Sequence, residues 1–376
     1  MVALENPMFK RFLIALLMFL TALPVFAQSS DEISGFGGYF ISADENRVLQ
    51  VWQLADDGST AAPLTNAAES MVDYAISPDG TQLAYTSGQK LWLQTSDETL
   101  EIATLSRERR PGNPVFNQDG SQLAYANGGL WLYDLASQES QLLYEDTPYN
   151  RDMPNTASVR YYDPVDFVDD KLIVRIGLWE GYGPGVYDFE SGTIQELDRF
   201  RPSDLLKLSD GRVIIYGNAE VWGDPNLAIA ESLDDINQTE ILVDLETLSP
   251  SAPLFVEEVI ETAPGMVRVM GSTYNLEGPT HFPLFYFDLD TEIGELGAEG
   301  IVGYGYLPSG ENDYTGQGTS SPDAQFVAQY LNAQVDTYLN PNGIIFGQLV
   351  FYELNTGETI PSNFPGKVAL FQWAKQ

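Results

Sequence analysis

Cysteine is absent from the 376 residues. That removes disulfides, thiolate metal sites, cysteine nucleophiles and a lipid-modified N-terminal cysteine from consideration. Histidine occurs once, at His281, so a centre built from several imidazoles cannot form. Basic residues are scarce: 18 Lys and Arg stand against 54 Asp and Glu, a formal charge of −36. A surface so acidic repels nucleic acid and anionic membranes, and neither is expected as a partner. There is no phosphate-cradling Gly-x-x-x-x-Gly-Lys stretch and no Gly-x-Ser-x-Gly elbow, so nucleotide hydrolysis and serine-hydrolase chemistry of that kind lack their sequence marks. No catalytic residue set and no cofactor is read from the chain. What the sequence has in quantity is apolar content, 44% with 12% aromatic, ample for a packed core.

The N-terminus reads as a leader rather than as fold. Lys10-Arg11 precede an apolar run from Phe12 to Phe26 that ends in Val25-Phe26-Ala27 before Gln28-Ser29-Ser30. A charged segment, an apolar segment and a small-residue site are the parts of a secretory signal peptide, here residues 1–27, with cleavage after Ala27. The run is shorter than the roughly 20 residues a membrane span needs, so after cleavage no membrane insertion is expected. Met8 makes a tidier start to this leader than Met1. Losing Glu5, Lys10 and Arg11 with the leader takes the formal charge to −37. Residues 28–376 are expected to form a single domain, exported to the periplasm or the exterior.

The strongest signal is repetition. "AISPDGTQLAYTSGQKLWLQTS" (Ala75–Ser96) returns as "VFNQDGSQLAYANGGLWLYDLAS" (Val115–Ser137). Asp79-Gly80 falls on Asp119-Gly120, Gln82-Leu83-Ala84-Tyr85 on Gln122-Leu123-Ala124-Tyr125, and Leu91-Trp92-Leu93 on Leu130-Trp131-Leu132. A period near 40 residues made of short strands marks an array of small sheets. Each unit reads as four strands, a to d. A Ser-Pro-Asp-Gly type of turn separates a from b, with Pro presetting φ and Gly taking φ > 0. A second phrase closes strand c: "YDLAS" (Tyr133–Ser137), "YDFESGT" (Tyr187–Thr193), "FDLDTE" (Phe287–Glu292) and "YELNTGE" (Tyr352–Glu358). The acids of "DLDTEIGE" (Asp288–Glu295) alternate as in a calcium loop, but a later bidentate carboxylate at the right spacing is missing, so this stretch is read as the c–d turn.

"ISPDGTQLAY" (Ile76–Tyr85) with "LWLYDL" (Leu130–Leu135) resembles the TolB-like, WD40-like β-propeller repeat of exported bacterial proteins. "LSDGRVIIYG" (Leu208–Gly217) and "SSPDAQFVAQY" (Ser320–Tyr330) keep the turn in degenerate form, while the units near Val165 and Met266 keep mainly the strand pattern. No segment reads as the small α/β domain that precedes the propeller in TolB. The resemblance implies an all-β propeller of four-stranded blades. Strand-b starts near Gly37, Gln82, Gln122, Lys171, Arg212, Met266 and Gln325 make seven, with six as the alternative if a unit near Gly300 is wrongly split. The first unit lacks strand a, and "VALFQWAKQ" (Val368–Gln376) offers an a-type strand with nothing after it. A C-terminal strand completing the N-terminal blade would remove the open edge.

In a propeller the b–c and d–a connections share one face. The long b–c connections here carry Trp179, Tyr182, Trp222, Tyr274, His281 and Tyr338. The d–a connections carry Arg107, Arg109, Arg110, Arg151, Arg160, Arg199 and Arg201, seven of the twelve arginines. Arginine's planar fork suits carboxylate or phosphate, and aromatic faces stack on sugar rings or peptide. These residues are therefore the candidate ligand-binding set, for an extracytoplasmic protein or an anionic or glycan ligand. The competing reading pairs them with neighbouring carboxylates such as Glu108, Asp152 and Asp198. His281 is read as an ordinary loop imidazole against a role as base.

The resemblance implies a non-catalytic binding or scaffold protein rather than an enzyme. The enzyme alternative is a propeller lyase or hydrolase acting on acidic polysaccharide. A third reading is an envelope scaffold held by calcium through its acidic surface.

Overall fold

The computed structural model of the chain describes residues 36–106, 112–150, 156–178, 181–196, 204–216, 226–244, 254–273, 284–292, 301–306, 316–335 and 345–374. Residues 36–376 form one compact unit. It contains seven antiparallel sheets of four strands each.

The first sheet holds β1 (Gly38–Ala43), β2 (Leu49–Leu54) and β3 (Ala61–Pro63). The second holds β4 (Met71–Ile76), β5 (Leu83–Ser87), β6 (Lys90–Gln94) and β7 (Thr99–Thr104). The third holds β8 (Gly112–Phe116), β9 (Gln122–Ala126), β10 (Gly129–Asp134) and β11 (Glu139–Glu145). The fourth runs from β12 (Tyr161–Val168) through β13 (Lys171–Leu178) and β14 (Gly181–Asp188) to β15 (Thr193–Glu196). The fifth has β16 (Asp204–Lys207), β17 (Val213–Tyr216), β18 (Asn226–Ala230) and β19 (Glu240–Asp244). The sixth has β20 (Leu254–Ala263), β21 (Met266–Thr273), β22 (Leu284–Asp290) and β23 (Ile301–Tyr306). The seventh has β24 (Gly316–Ser320), β25 (Phe326–Val335), β26 (Ile345–Glu353) and β27 (Thr359–Pro361), after which β28 (Ala369–Trp373) returns to the first sheet. Every second strand begins within one residue of the start read from the sequence. The stretch after Gly300 is the fourth strand of the sixth sheet, so the six-sheet alternative does not hold.

The apolar residues sort by sheet boundary. Leu83 and Tyr85 face the first sheet, where Ile41, Leu49 and Val51 meet Met71 and Tyr74. Ala84, between them, faces the third sheet and packs with Leu123, Tyr125 and Tyr133. Clusters of the same kind join sheets three and four, four and five, five and six, six and seven, and seven and one. Seven sheets with seven apolar boundaries make a closed ring. Each second strand is sandwiched on both sides, so β5 and β17 are buried at every residue. The half-buried alternation that Gln82 to Thr86 suggests in sequence therefore gives way to burial on both faces.

Closure is made by backbone and side chains together. Strand β28 pairs with β1, Gly38 opposite Trp373 and Ile41 opposite Ala369. The Ala374 amide donates to Gly37 O at 2.9 Å, and Ser42 Oγ donates to Lys367 O at 2.7 Å. Tyr74 Oη lies 2.7 Å from Tyr39 O and 2.6 Å from Leu370 O, so one phenol ties β4 to both β1 and β28.

The a–b turns repeat in detail. Gly80 N donates to Ser77 O at 2.8 Å, and Gly120 N to Asn117 O at 3.0 Å, each glycine with φ +72°. Ser77 Oγ donates to Asp79 Oδ1 at 2.6 Å, which fixes the turn from its side-chain end. In the seventh sheet Ala324 takes the glycine place, donating to Ser321 O at 2.8 Å with φ +57°. An L-residue there costs roughly 1–2 kcal/mol of local strain, partly offset by glycine's greater freedom when unfolded. Ala324→Gly is expected to raise stability by about 0.5–1 kcal/mol in urea unfolding, whereas Gly80→Ala should lower it.

Candidate functional site

The first strand of each sheet lines the centre of the ring. Four of these strands place an acid at one rank, level with the same position of the second strand in each blade. Asp73 faces Thr86, Asp163 faces Arg175, Asp204 faces Tyr216 and Glu258 faces Met270. Gly112 holds the same rank in the third sheet, opposite Ala126. The first strand shifts register beside this rank in the second, third and sixth sheets, and such bulges re-aim side chains. All four acids lie toward the start of their strands, hence on the face of the b–c and d–a connections.

These carboxyls are held by amides. Asp73 Oδ1 accepts from Tyr74 N at 2.9 Å and Oδ2 from Asn113 N at 2.6 Å, which binds the second sheet to the third. A Cβ on Gly112 would stand 2.9 Å from Asp73 Oδ2 and the φ there is +131°, so glycine is required. Asp204 Oδ1 accepts from Leu205 N at 2.9 Å. Glu258 crosses to the seventh sheet, accepting from Ser320 N at 2.8 Å and Thr319 Oγ1 at 3.1 Å.

Desolvation at the ring wall opposes ionisation of these groups. It pushes Asp73 up to about 7 against its two amide bonds, with the Asp163 charge adding to the rise. It pushes Asp204 up to about 6, which the Arg175 guanidinium moderates. Glu258 is raised by the same cause. Two buried phenols beside them are raised as well, Tyr216 far above its ordinary value and Tyr330 to about 12. A cavity of about 370 Å³ opens here, lined by Asp204, Tyr216, Glu258, Thr319, Tyr330 and Gln372. Among the described residues no group of three or more His, Asp or Glu side chains is arranged to hold a metal ion.

Of the set read from sequence, Arg160 is fully described. Its Nε donates to Glu196 Oε1 at 3.0 Å and Oε2 at 3.3 Å, and Nη1 donates to Val159 O at 2.9 Å. At this position the guanidinium is ion-paired with the Glu196 carboxylate. Tyr182 lies in β14, its backbone opposite Gly177. Arg107, Arg109, Arg110, Arg151, Arg199, Arg201, Trp179, Trp222, Tyr274, His281 and Tyr338 lie outside the described residues. The ring-wall acids are absent from that set. Their signal was an acid at or near the start of a first strand, in "DYAI", "YYDPV", "DLLK" and "EEVIE", visible only once the strands are in register.

Seven four-stranded sheets closed in a ring by the last strand define a β-propeller, and the chain is a seven-bladed protein of that class. The solved structures it resembles include TolB from Acinetobacter baumannii, at 14% identity over 91% of this chain and 67% of that one, with a TM-score of 0.47. They also include an oligogalacturonate lyase from Vibrio parahaemolyticus, at 12% identity over 81% of this chain and 89% of that one, TM-score 0.52. The β-propeller domain of the Trilobed protease from Pyrococcus furiosus matches at 14% identity over 87% of this chain and 94% of that one, TM-score 0.51. At these identities the likeness is one of fold. No family model and no curated protein matches the sequence. Among the described residues no helix is long and apolar enough to cross a membrane.

The raised carboxyls fix a sign. The folded chain keeps protons that the unfolded chain, titrating near 4, has already released. The stability they confer is complete below about pH 4 and is lost as pH rises through the folded values, about 6 for Asp204 and about 7 for Asp73. Urea unfolding between pH 5 and pH 8 should show stability falling with pH, and an Asp73→Asn, Asp204→Asn double variant should show a flatter slope.

Proposed function

We propose that this propeller is an exported, non-catalytic binding module. Its b–c and d–a face receives a protein partner, and a basic segment of that partner enters the acid-lined channel mouth. The observation that carries the reading is the rank of Asp73, Asp163, Asp204 and Glu258 on four first strands, of which Asp204 and Glu258 line a cavity. An ammonium or guanidinium group arriving there would offset the desolvation that opposes ionisation of these acids, and so be held by the charge it restores. An acidic polysaccharide would meet the same charges as repulsion. The signal-peptide pattern read in residues 1–27 supports export.

The enzyme reading keeps one specific observation. Asp204, with its ordinary pKa raised to about 6, lines the cavity beside Tyr216, and a carboxyl of that strength is suited to proton transfer near neutrality. On that reading the chain would cleave polyuronate and release an unsaturated product that absorbs in the ultraviolet.

Fluorescent peptides rich in Lys and Arg are expected to bind the full chain, more weakly as salt rises. An Asp204→Asn, Glu258→Gln variant should weaken them about tenfold. Preference for Asp- and Glu-rich peptides or for oligogalacturonate would refute the basic-segment reading, and ultraviolet-absorbing product from polygalacturonate would refute the non-catalytic one. Recovery of protein beginning at Gln28 outside the cytoplasm of the expressing cell would test the leader.

A further inference from the structure

The two best-matched repeats differ at one place in a way that opens a second site. In the third blade, Tyr125 Oη lies 3.0 Å from Ser140 Oγ, its partner on β11, and Tyr133 fills the space toward the second blade. The corresponding residues of the second blade are Tyr85, Thr99 and Gln94, because Gln94 faces Thr99 across β6 and β7 as Tyr133 faces Ser140 across β10 and β11. Gln94 is smaller than tyrosine, and its amide donates across the same boundary to Leu64 O at 2.9 Å. The space that Tyr133 fills in one boundary is therefore only partly filled in the other.

Two cavities of about 260 and 640 Å³ open at this boundary; both are lined by Tyr85 and Thr99, and Gln94 lines the larger. They lie between the first and second blades, which diverge toward the outside of the ring. Tyr85 is only 7% exposed, yet among the described residues its hydroxyl has no hydrogen-bond partner, and burial alone raises its pKa. The ring is buried while the hydroxyl reaches the cavity, where it stands as a donor and acceptor open to a ligand.

The remaining lining names the ligand's chemistry. Asn66, Thr95, Ser96 and Thr99 bring amide and hydroxyl groups, with the half-buried Trp92 ring on one side. Asp97 and Glu98 border the larger cavity and Glu69 the smaller. The nearby cation, Lys90, is already ion-paired with Glu101 and sits 5.2 Å over the Trp92 ring. Carboxylates with no free cation beside them among the described residues repel an anion, and hydroxyls and amides set among aromatic and aliphatic surface suit a ligand with both polar and apolar faces. A neutral polyol satisfies it: vicinal hydroxyls bond to carboxylate, amide and phenol, while C–H faces rest against aromatic rings. We propose that the groove between blades one and two is a binding site for an uncharged oligosaccharide, separate from the channel mouth.

Calorimetric titration and saturation-transfer NMR of the full chain with maltohexaose, cellohexaose and hexa-N-acetylchitohexaose test it, with hexagalacturonate and pentalysine as charged probes. One of the uncharged hexamers is expected to bind. Tyr85→Phe, which removes a single oxygen, should weaken it about five- to tenfold. Gln94→Tyr, which supplies the ring found at Tyr133, should abolish it while cooperative melting is retained. The proposal is overturned if no uncharged hexamer binds at millimolar concentration, if Tyr85→Phe leaves the affinity unchanged, or if the substitutions affect pentalysine binding alone.

Discussion

No blade of this protein has a core of its own. A four-stranded sheet whose second strand is apolar on both faces must be covered twice, and each cover is another blade with the same need. The only arrangement that satisfies all seven is a ring, and the ring exists because β28 reaches β1. Every other property follows from that requirement. The first strands are forced together at the centre, the blades diverge outward, and polar residues at the centre must find partners in neighbouring blades, as Asp73 does in Asn113 N and Glu258 in Ser320 N.

The same geometry separates two environments. At the centre, space shrinks and carboxyls are crowded into a wall that disfavours their charge. At the periphery, space grows and has to be filled by large side chains or left open. Tyr133 fills it at one boundary; Gln94 does not at the next. Near-identical repeats can therefore carry different sites, since a change of one ring alters only the boundary it faces.

The sequence displayed the fold clearly because its turns are chemically marked. Asp79-Gly80 and Asp119-Gly120 set the a–b turn, and Asp134, Asp188 and Glu353 anchor the c–d turn through bonds to the backbone or side chains a few residues on. Those marks gave the repeat its period, and the strand pattern near Val165 and Met266 and the spare strand at Val368–Gln376 supplied the blade count and the closure. The site was far less legible. Arginines and loop aromatics stand out in an acidic chain, whereas an aspartate among many aspartates does not. Asp204 becomes informative only when register places it level with Asp73 on another blade. Gln94 likewise matters through a comparison with Tyr133 that needs the paired strands, not the aligned letters.

The hydrogen bond between Ala374 N and Gly37 O joins residues at opposite ends of the propeller's chain. Around the ring the polypeptide has a seam, and the seam lies inside a sheet instead of between sheets. A chain shortened by its last strand would keep six whole blades and still lose the closure, because the exposed edge of β1 and the apolar faces of blades one and seven would open together. The contact of longest sequence separation is thus also an integrity check: the ring shuts only around a chain that has been made through to Trp373.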